Sequence, residues 1–300
     1  MSKQTSYLLG IIGTIILGSL LYSKFCCNCC STDNFKVVPL ITNENKGIAN
    51  PFSFSKDNFK YSCDSNFNYS LNDFNYKNPL DKCIDEGIVA LKNFFDKNPN
   101  AKLKITGYCT NQETNSSAFP NLGFARANNI KNYFISKGLP SNRFDINGEK
   151  SQNLRNLNNV LQGPAVFTLS NDIITAKGED FEVLKEKIIV DPLTLYFNTN
   201  QTEINLTEAE RQKVLNLSHY IDNVPSAQIN CVGHTDNIGD RNVNIHLGQE
   251  RANFIKDYLI KNGIPEDKII TSSKGPDEPI TSNLTPEGKA KNRRTIVTLK

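Results

Sequence analysis

The sequence lacks an excess of either sign of charge. Lysine and arginine together number 34, and aspartate and glutamate number 31. The basic residues are spread along the chain instead of being gathered in one block. Proteins that bind nucleic acid concentrate positive charge on one face or in one segment. The charge pattern therefore excludes nucleic acid as a partner.

Motifs for common catalytic chemistry are also lacking. The three histidines form no His-x-x-x-His pair, and the chain has neither a Gly-x-Ser-x-Gly elbow nor a glycine loop that would cradle a phosphate. His234 invites a catalytic or metal-binding interpretation, but no second ligand or base accompanies it in the sequence. We therefore interpret it as a structural histidine and predict no catalytic residue, no cofactor and no enzyme activity.

Residues 4–23 carry no charge and include the apolar run 7–22. As a helix this segment is long enough to cross roughly 30 Å of hydrocarbon. A signal peptide is the alternative, but no small-x-small cleavage site closes the run. Lys24 and Phe25 stand where a lipoprotein box would place small residues before Cys26. We predict an uncleaved transmembrane helix.

Small residues recur every fourth position in this helix, at Gly10, Thr14 and Gly18. Such a face lets two membrane helices approach closely, which favours a homodimer. Residues 1–30 are accordingly assigned to the anchor and its cysteine cluster. Residues 31–60, rich in Asn, Ser, Lys and Asp, are assigned to a linker.

Four of the eight cysteines lie together after the apolar run, at positions 26, 27, 29 and 30. The other four supply no second Cys-x-x-Cys pair at zinc-like spacing, so no metal site is predicted. Acylation beside a bilayer, a disulfide between chains and an inert cluster remain open for these thiols.

An internal repeat organises the rest of the chain. RANNIKNYFISKGLP at 126–140 and RANFIKDYLIKNGIP at 251–265 are identical at nine of fifteen positions. Matching turns lie upstream, and AVFTL at 165–169 resembles TIVTL at 295–299. Two copies of one fold explain these matches better than chance. We assign them to residues 61–172 and 185–300.

The second copy alternates strand and helix signals. Leu193, Leu195 and Phe197 alternate as in a strand, and Thr207 with Glu210 forms a capping box that begins a helix. A strand around Cys231, a helix over 241–262, and strands over 268–272 and 294–299 with a brief helix between them follow. The predicted order is β-α-β-α-β-α-β. Helices must then pack on a sheet.

These residues carry a family resemblance. GHTDNIG at 233–239, Asn244, RANFIKDYL from Arg251, the turn GIP and the segment ending in NRR at 292–294 resemble the C-terminal domain of OmpA, a family that includes the Pal and MotB domains. The resemblance implies an α/β fold (an α+β sandwich). We expect two tandem OmpA-like βαβαβ(α)β domains, with helices packed on a mixed sheet, after one N-terminal transmembrane helix.

The family binds peptidoglycan without covalent chemistry, which the resemblance implies for this chain. The stem peptide of Gram-negative peptidoglycan contains diaminopimelate, whose free end bears an ammonium and a carboxylate. By resemblance, Asp236 receives the ammonium and Arg251 the carboxylate, as a two-pronged donor. Thr235 and Asn237 are expected to add loop hydrogen bonds. By the same resemblance, Asn244 and Arg293 line the pocket.

Simpler roles exist for the same side chains. Asp236 is also suited to cap a turn, Arg251 to be a solvated helix charge, and the Arg293–Arg294 pair to be paired at a sheet edge. The shared match of Asp236 and Arg251 to the family favours the binding role.

The first copy departs from the family pattern. Thr110 or Asn111 stands at the position of Asp236, although Arg126 persists, and the NRR segment is missing. An unpaired ligand ammonium would be costly to bury, so we predict that this copy keeps the fold, has lost ligand binding, and serves as a spacer or docking surface. In an oxidising compartment, Cys63 and Cys83 are expected to form a disulfide.

The favoured function is a static tether between membrane and cell wall. A MotB-like stator or transport component is the alternative, but a proton path would need an acidic residue in the membrane helix, and residues 4–23 contain none. A cell-wall enzyme is a minor alternative. We expect a cell-envelope, single-pass membrane protein with its C-terminal domains in the periplasm. Whether the inner or the outer membrane holds it stays open.

Overall fold

The computed structural model describes residues 47–170, 181–198 and 205–300. The predicted anchor at 4–23 and the cysteine cluster lie outside these ranges. Among the helices of the described ranges, none has the length and apolar character that crossing a bilayer requires. Residues 47–170 are called the N-terminal module, and the described residues from 181 onward are called the C-terminal module.

The N-terminal module is built on a three-stranded sheet. Its elements are β1 Phe52–Lys56, β2 Phe59–Cys63, β3 Tyr69–Ser70, α1 Lys82–Lys97, β4 Lys102–Cys109, α2 Leu122–Ser136, β5 Phe144–Lys150, β6 Asn156–Leu157, β7 Val160–Leu161 and β8 Ala165–Ser170. Strand β4 lies in the middle, parallel to β5 and antiparallel to β8. A small second sheet has the order β3-β7-β6.

The core of this module is rich in aromatic rings. Helix α1 buries Ile84, Ile88 and Leu91 at helical spacing. The β1–β2 hairpin adds Phe52, which is fully buried and meets the ring of Phe167 edge-on, with centroids 4.9 Å apart. Burying an aromatic side chain of this size contributes on the order of 2–3 kcal/mol.

The hairpin corrects the predicted linker over 31–60. Strand β1 and the first residues of β2 fall inside that range, and their aromatic side chains belong to the core of the N-terminal module. Alternating Phe52 and Phe54, a turn with Asp57 at φ 50°, and then Phe59 and Tyr61 make up the hairpin. The expected disulfide between Cys63 and Cys83 is present, with Cα atoms 6.0 Å apart, and it ties β2 to helix α1.

The C-terminal module confirms the predicted alternation. Its elements are α3 Phe181–Val190, β9 Leu193–Tyr196, α4 Glu208–Asn223, β10 Ile229–His234, α5 Arg241–Lys261, β11 Ile269–Gly275, α6 Pro286–Asn292 and β12 Arg294–Leu299. The sheet order is β11-β10-β12-β9, with β10 parallel to β11 and antiparallel to β12. Only helix α3, which begins four residues before the predicted boundary at 185, was not expected.

Local signals explain where the helices of this module begin and end. Thr207 and Glu210 form the predicted capping box at the start of α4. Asp240 caps α5, because its Oδ1 accepts hydrogen bonds from the backbone N–H groups of Asn242 and Val243 at 2.8 and 3.2 Å. Gly263 follows α5 with φ +87°, a left-handed conformation that glycine adopts without strain.

The two modules pack against each other within one compact unit, Asn45–Lys300. Asn262 accepts a hydrogen bond on Oδ1 from the backbone N–H of Ala118 at 2.7 Å, and its carbonyl accepts one from Asn128 Nδ2 at 3.1 Å. Lys131, only 2% exposed, forms an ion pair with Asp222. Helix α2 of the first module is thereby fixed to the ends of α4 and α5 in the second.

Candidate functional site

The predicted site residues Thr235, Asp236 and Asn237 lie in the loop between β10 and α5, at the carboxyl end of a strand. Helix α5 approaches β10 closely there. The contact leaves no room for a side chain, since a Cβ added to Gly233 would overlap the backbone carbonyl of Gly248. This glycine contact brings Arg251, one turn further along α5, under the loop. Crevices at the carboxyl ends of parallel strands are common ligand sites in α/β sheets.

Asp236 pairs with Arg293. Its Oδ2 lies 2.9 Å from Arg293 Nη1, and the two side chains are 14% and 17% exposed. The Oδ1 atom accepts a hydrogen bond from the backbone N–H of Ile238 at 3.1 Å, so the carboxylate also caps its own turn. Arg293 is anchored from behind by a bond of 3.3 Å from Nε to the carbonyl of Phe197. Both charged groups are thus fixed at the mouth of the site.

Arg251 is buried, and its guanidinium is weakly hydrogen-bonded to the protein. It is 2% exposed, and its Nη1 donates one hydrogen bond, at 3.3 Å, to the carbonyl of His234. Its Nε has no partner in the described part of the chain. The guanidinium carbon lies 5.2 Å from the centre of the Phe197 ring. Burial lowers the pKa of Arg251 and the nearby Arg293 lowers it further, whereas Asp236 raises it.

Three further predicted residues shape or flank the loop. Thr235 is buried; its N–H donates to the Gly275 carbonyl at 2.8 Å and its Oγ1 to the Asp236 carbonyl at 2.9 Å. Asn244 is also buried, and its Nδ2 donates to the Ile238 carbonyl at 2.9 Å. Asn237 is exposed. The first two side chains hold the loop, and the third faces solvent.

The six predicted residues therefore share one neighbourhood, but their pairing differs from the expectation. Asp236 forms its ion pair with Arg293, and no ion pair joins Asp236 to Arg251 among the described residues. A ligand ammonium would have to approach a carboxylate that already has a cationic neighbour. The two oxygen atoms of the Asp236 carboxylate have different partners, since Oδ1 caps the turn and Oδ2 pairs with Arg293.

His234 is a buried neutral imidazole. It is 3% exposed, and its Nδ1 has no partner among the described residues. Burial lowers its pKa to about 4, and the neighbouring Arg294 lowers it as well. Arg294, the last residue of the NRR segment, is buried too and donates to the carbonyls of Asn292 and Glu278 at 3.3 and 3.1 Å.

The corresponding place in the N-terminal module contains a closed ion pair. Arg126 is fully buried and paired with the Glu113 carboxylate, whose side chain is 2% exposed. Its Nε and Nη2 donate to the Asp73 carbonyl at 3.0 and 2.9 Å, and its Nη1 donates to the Tyr108 carbonyl at 2.9 Å. Desolvation raises the pKa of the Glu113 carboxyl, but the hydrogen bonds and charge of Arg126, together with bonds from the backbone N–H groups of Thr110 and Asn72, lower it overall.

Glu113 corrects the expectation that Arg126 has no anion beside it. The sequence carried a signal for it, since Glu113 is the sole charged residue between Lys104 and Arg126. The position of Asp236 is indeed taken by uncharged residues, but the anion comes from slightly further along the same loop.

One described group of metal-ligand types lies close together, namely Cys63, Asp81 and Cys83. The two sulfur atoms are joined in the disulfide. A metal binds the thiolate form of cysteine, which a disulfide does not offer. This cluster is explained by the covalent link.

Comparison with known proteins places these features in a family. The profile of the OmpA family matches residues 77–164 and 196–293. The peptidoglycan-binding protein ArfA of Mycobacterium bovis is 45% identical over 73 residues, which cover 24% of this chain and 22% of ArfA. The peptidoglycan-associated lipoprotein of Buchnera aphidicola is 31% identical over 104 residues, 35% of this chain and 59% of the lipoprotein.

Among solved structures, the peptidoglycan-associated lipoprotein of Burkholderia pseudomallei aligns with a TM-score of 0.33 and 21% identity, covering 37% of this chain and 92% of that one. The two curated relatives are each matched over less than two thirds of their own length. The family profile, in contrast, covers more than half of the 300 residues here. The chain belongs to the OmpA family.

Proposed function

We propose that the C-terminal module binds peptidoglycan non-covalently, through the diaminopimelate end of the stem peptide. The observation that carries the proposal is the buried guanidinium of Arg251, whose Nε has no partner in the part of the chain that the structure describes, beside the carboxylate of Asp236. An arginine buried with most of its donors unused is costly in isolation. A ligand carboxylate would satisfy it.

The charges at the site fit both ends of this ligand. Asp236 and Arg293 sit at the mouth, partly open to water, and Arg251 lies deeper. A ligand carboxylate that enters between the two arginines gains charge-assisted hydrogen bonds from both. The ligand ammonium then meets the Asp236 carboxylate. The ligand carboxylate takes the place of Asp236 beside Arg293 and so offsets the loss of that ion pair. Nothing in this scheme makes or breaks a covalent bond.

We further propose that the two modules are tandem copies of one domain and that only the second binds the diaminopimelate end of the stem peptide. The supporting observations are the two separate ranges matched by the family profile and the parallel–antiparallel arrangement around β4 and β10. In the N-terminal module Glu113 already occupies the donors of Arg126. A ligand carboxylate would have to displace the Glu113 carboxylate from Arg126, and this exchange adds no new charge-assisted hydrogen bond.

The cellular role that we propose is a tether. With the apolar segment 4–23 in a membrane and the C-terminal module on the wall, the protein would link the two as a single-pass protein of the cell envelope. The peptidoglycan-binding and peptidoglycan-associated names of its relatives support the wall end. The membrane end rests on the sequence. Homodimerisation through that segment belongs to the same proposal.

The test is sedimentation of the purified full chain with isolated sacculi. Arg251→Met and Asp236→Asn are each expected to weaken binding roughly tenfold or more, because each removes a charge-assisted contact to the ligand. Lys261→Met is the matched control. It removes one positive charge from the exposed last turn of the same helix and is expected to leave sedimentation unchanged.

Undiminished sedimentation of both site variants would refute the site assignment. If Lys261→Met lost as much sedimentation as the site variants, the binding would be general attraction between opposite charges and not recognition at this site. Sacculi whose stem peptides carry lysine in place of diaminopimelate provide a second control, since they lack the paired ammonium and carboxylate on one carbon. They are expected to retain little of the wild-type protein.

A further inference from the structure

The N-terminal module contains a pocket beside its closed ion pair. The cavity measures about 540 Å³ and lies between the loop that follows β4 and the small β3-β7-β6 sheet. Pockets that take small ligands measure roughly 300–1,000 Å³. The loop that lines it, Thr110 to Glu113, holds the same place in its module as the loop around Asp236 does in the other.

The charged groups beneath this pocket neutralise each other. Glu113 is the one charged residue of the lining, and both of its carboxylate oxygens are occupied. Oε1 accepts from Asn72 N at 3.1 Å and Oε2 from Thr110 N at 2.7 Å, while Arg126 donates to both. A pocket with such a floor offers no free charge to attract an ammonium or a carboxylate.

Carboxamides dominate the rest of the lining. Five side chains of this kind surround the cavity: Asn72, Asn111, Gln112, Gln152 and Asn156. No protein hydrogen bond engages the side-chain amides of Asn111, Gln112 or Gln152 in the described part of the chain, and Asn156 Oδ1 is buried without a partner. Each carboxamide both donates and accepts.

Three leucines supply the apolar part of the pocket. Leu154 and Leu161 are buried and Leu71 is half-buried, and all three belong to the lining. The pocket therefore combines an ion pair without net charge, donor and acceptor groups of the carboxamides, and an apolar patch. A sugar ring presents the matching surfaces, because its hydroxyl groups donate and accept while its C–H faces are apolar. An acetamido substituent adds an amide for the carboxamides and a methyl group for the leucines.

We propose that this pocket of the N-terminal module binds an uncharged, N-acetylated saccharide. The pocket binds by hydrogen bonds and apolar contact, without an ion pair, and so differs in chemistry from the site at Asp236. The further identification of the saccharide with the glycan strand of peptidoglycan rests on the proposed function. On that basis, the two modules grip one polymer by different parts, the first by its sugar and the second by its peptide.

The test is calorimetric titration of the full chain with tetra-N-acetylchitotetraose, which carries no peptide and no charge. Saturable binding with one site per chain is expected. The double variant Asn111→Ala/Gln112→Ala, in exposed loop positions, is expected to bind roughly tenfold more weakly because it loses two hydrogen-bonding groups. The matched double variant Gln212→Ala/Asn216→Ala, which removes two carboxamides from helix α4, is expected to bind like the wild type.

The sugar used in the titration distinguishes the chemistry. Maltotetraose, which has hydroxyl groups and no acetamido groups, and the cationic deacetylated chitosan tetramer are both expected to bind more weakly. Absence of chitotetraose binding, or equal affinity of the two double variants, would overturn the proposal. Asp236→Asn is expected to leave chitotetraose binding unchanged. The sedimentation experiment therefore tests the peptide site at Asp236 separately from the saccharide pocket.

Discussion

Two buried arginines, at matching places in the two modules, have opposite surroundings. Arg126 is enclosed by the Glu113 carboxylate and two backbone carbonyls. Within the described residues, Arg251 has one hydrogen bond, at 3.3 Å, and its Nε has no partner, while the nearby Asp236 pairs with Arg293 instead. The same sequence motif, Arg-Ala-Asn at the start of a matching helical segment, thus yields a structural ion pair in one module and an unsatisfied cation in the other. The neighbouring carboxylate decides which of the two arises.

The largest expected effect comes from replacing each arginine by methionine. Arg126→Met strands the buried Glu113 carboxylate, and we expect it to lower the free energy of unfolding by about 3–5 kcal/mol. Arg251→Met removes a buried cation that has no counter-ion in direct contact among the residues described. We expect it to change the free energy of unfolding by less than about 1 kcal/mol. Urea denaturation followed by circular dichroism measures both. Similar losses for the two variants would show that Arg251 is as internally satisfied as Arg126.

A second difference concerns the residue that follows the glycine of the central strand, which is His234 in one module and Tyr108 in the other. The pKa of His234 is lowered from 6.5 to about 4, so between these values the unfolded chain binds more protons than the folded chain. Stability therefore falls as the pH falls through this window and is constant above it, with a total loss of about 3 kcal/mol. His234→Gln should abolish this part of the pH dependence in urea denaturation between pH 7 and 4.5. An unchanged profile would mean that His234 titrates normally.

A small effect on stability is expected for Asp236→Asn. Asparagine retains an oxygen for the Ile238 N–H and loses the ion pair with Arg293, which is partly open to water. We expect a loss of about 1 kcal/mol in the free energy of unfolding, together with weaker binding to sacculi. Glu113→Gln, the corresponding change in the other module, should cost several times as much. Equal losses of stability in Asp236→Asn and Glu113→Gln would contradict the difference between the partly exposed carboxylate of Asp236 and the buried one of Glu113.

Much of the fold was predictable because its signals are local. The capping box at Thr207, the alternation of Leu193 and Leu195, and the glycine after helix α5 each act within a few residues of the chain. The β1–β2 hairpin also had a local signal in its alternating aromatics. We assigned its residues to a linker because polar residues surround them, although the rings of Phe52 and Phe54 are buried by contacts with distant elements.

The site was predictable only in part. The family resemblance indicated the residues near Asp236 and Arg251, and the structure brings them together. The partner of Asp236 depends on where the start of β12 meets the loop after β10, which no local pattern encodes. Glu113 poses the same problem, since its pairing with Arg126 spans 13 residues and follows from how the loop folds back over helix α2.

On our proposal, the C-terminal module holds the stem-peptide ligand and the N-terminal module is closed to that ligand. The most direct measurement is calorimetric titration of the full chain with a soluble stem tripeptide that ends in diaminopimelate and carries no sugar. The account predicts one site per chain, lost in Arg251→Met and retained in Asn111→Ala/Gln112→Ala. Two sites per chain, or a single site that survives Arg251→Met, would contradict it.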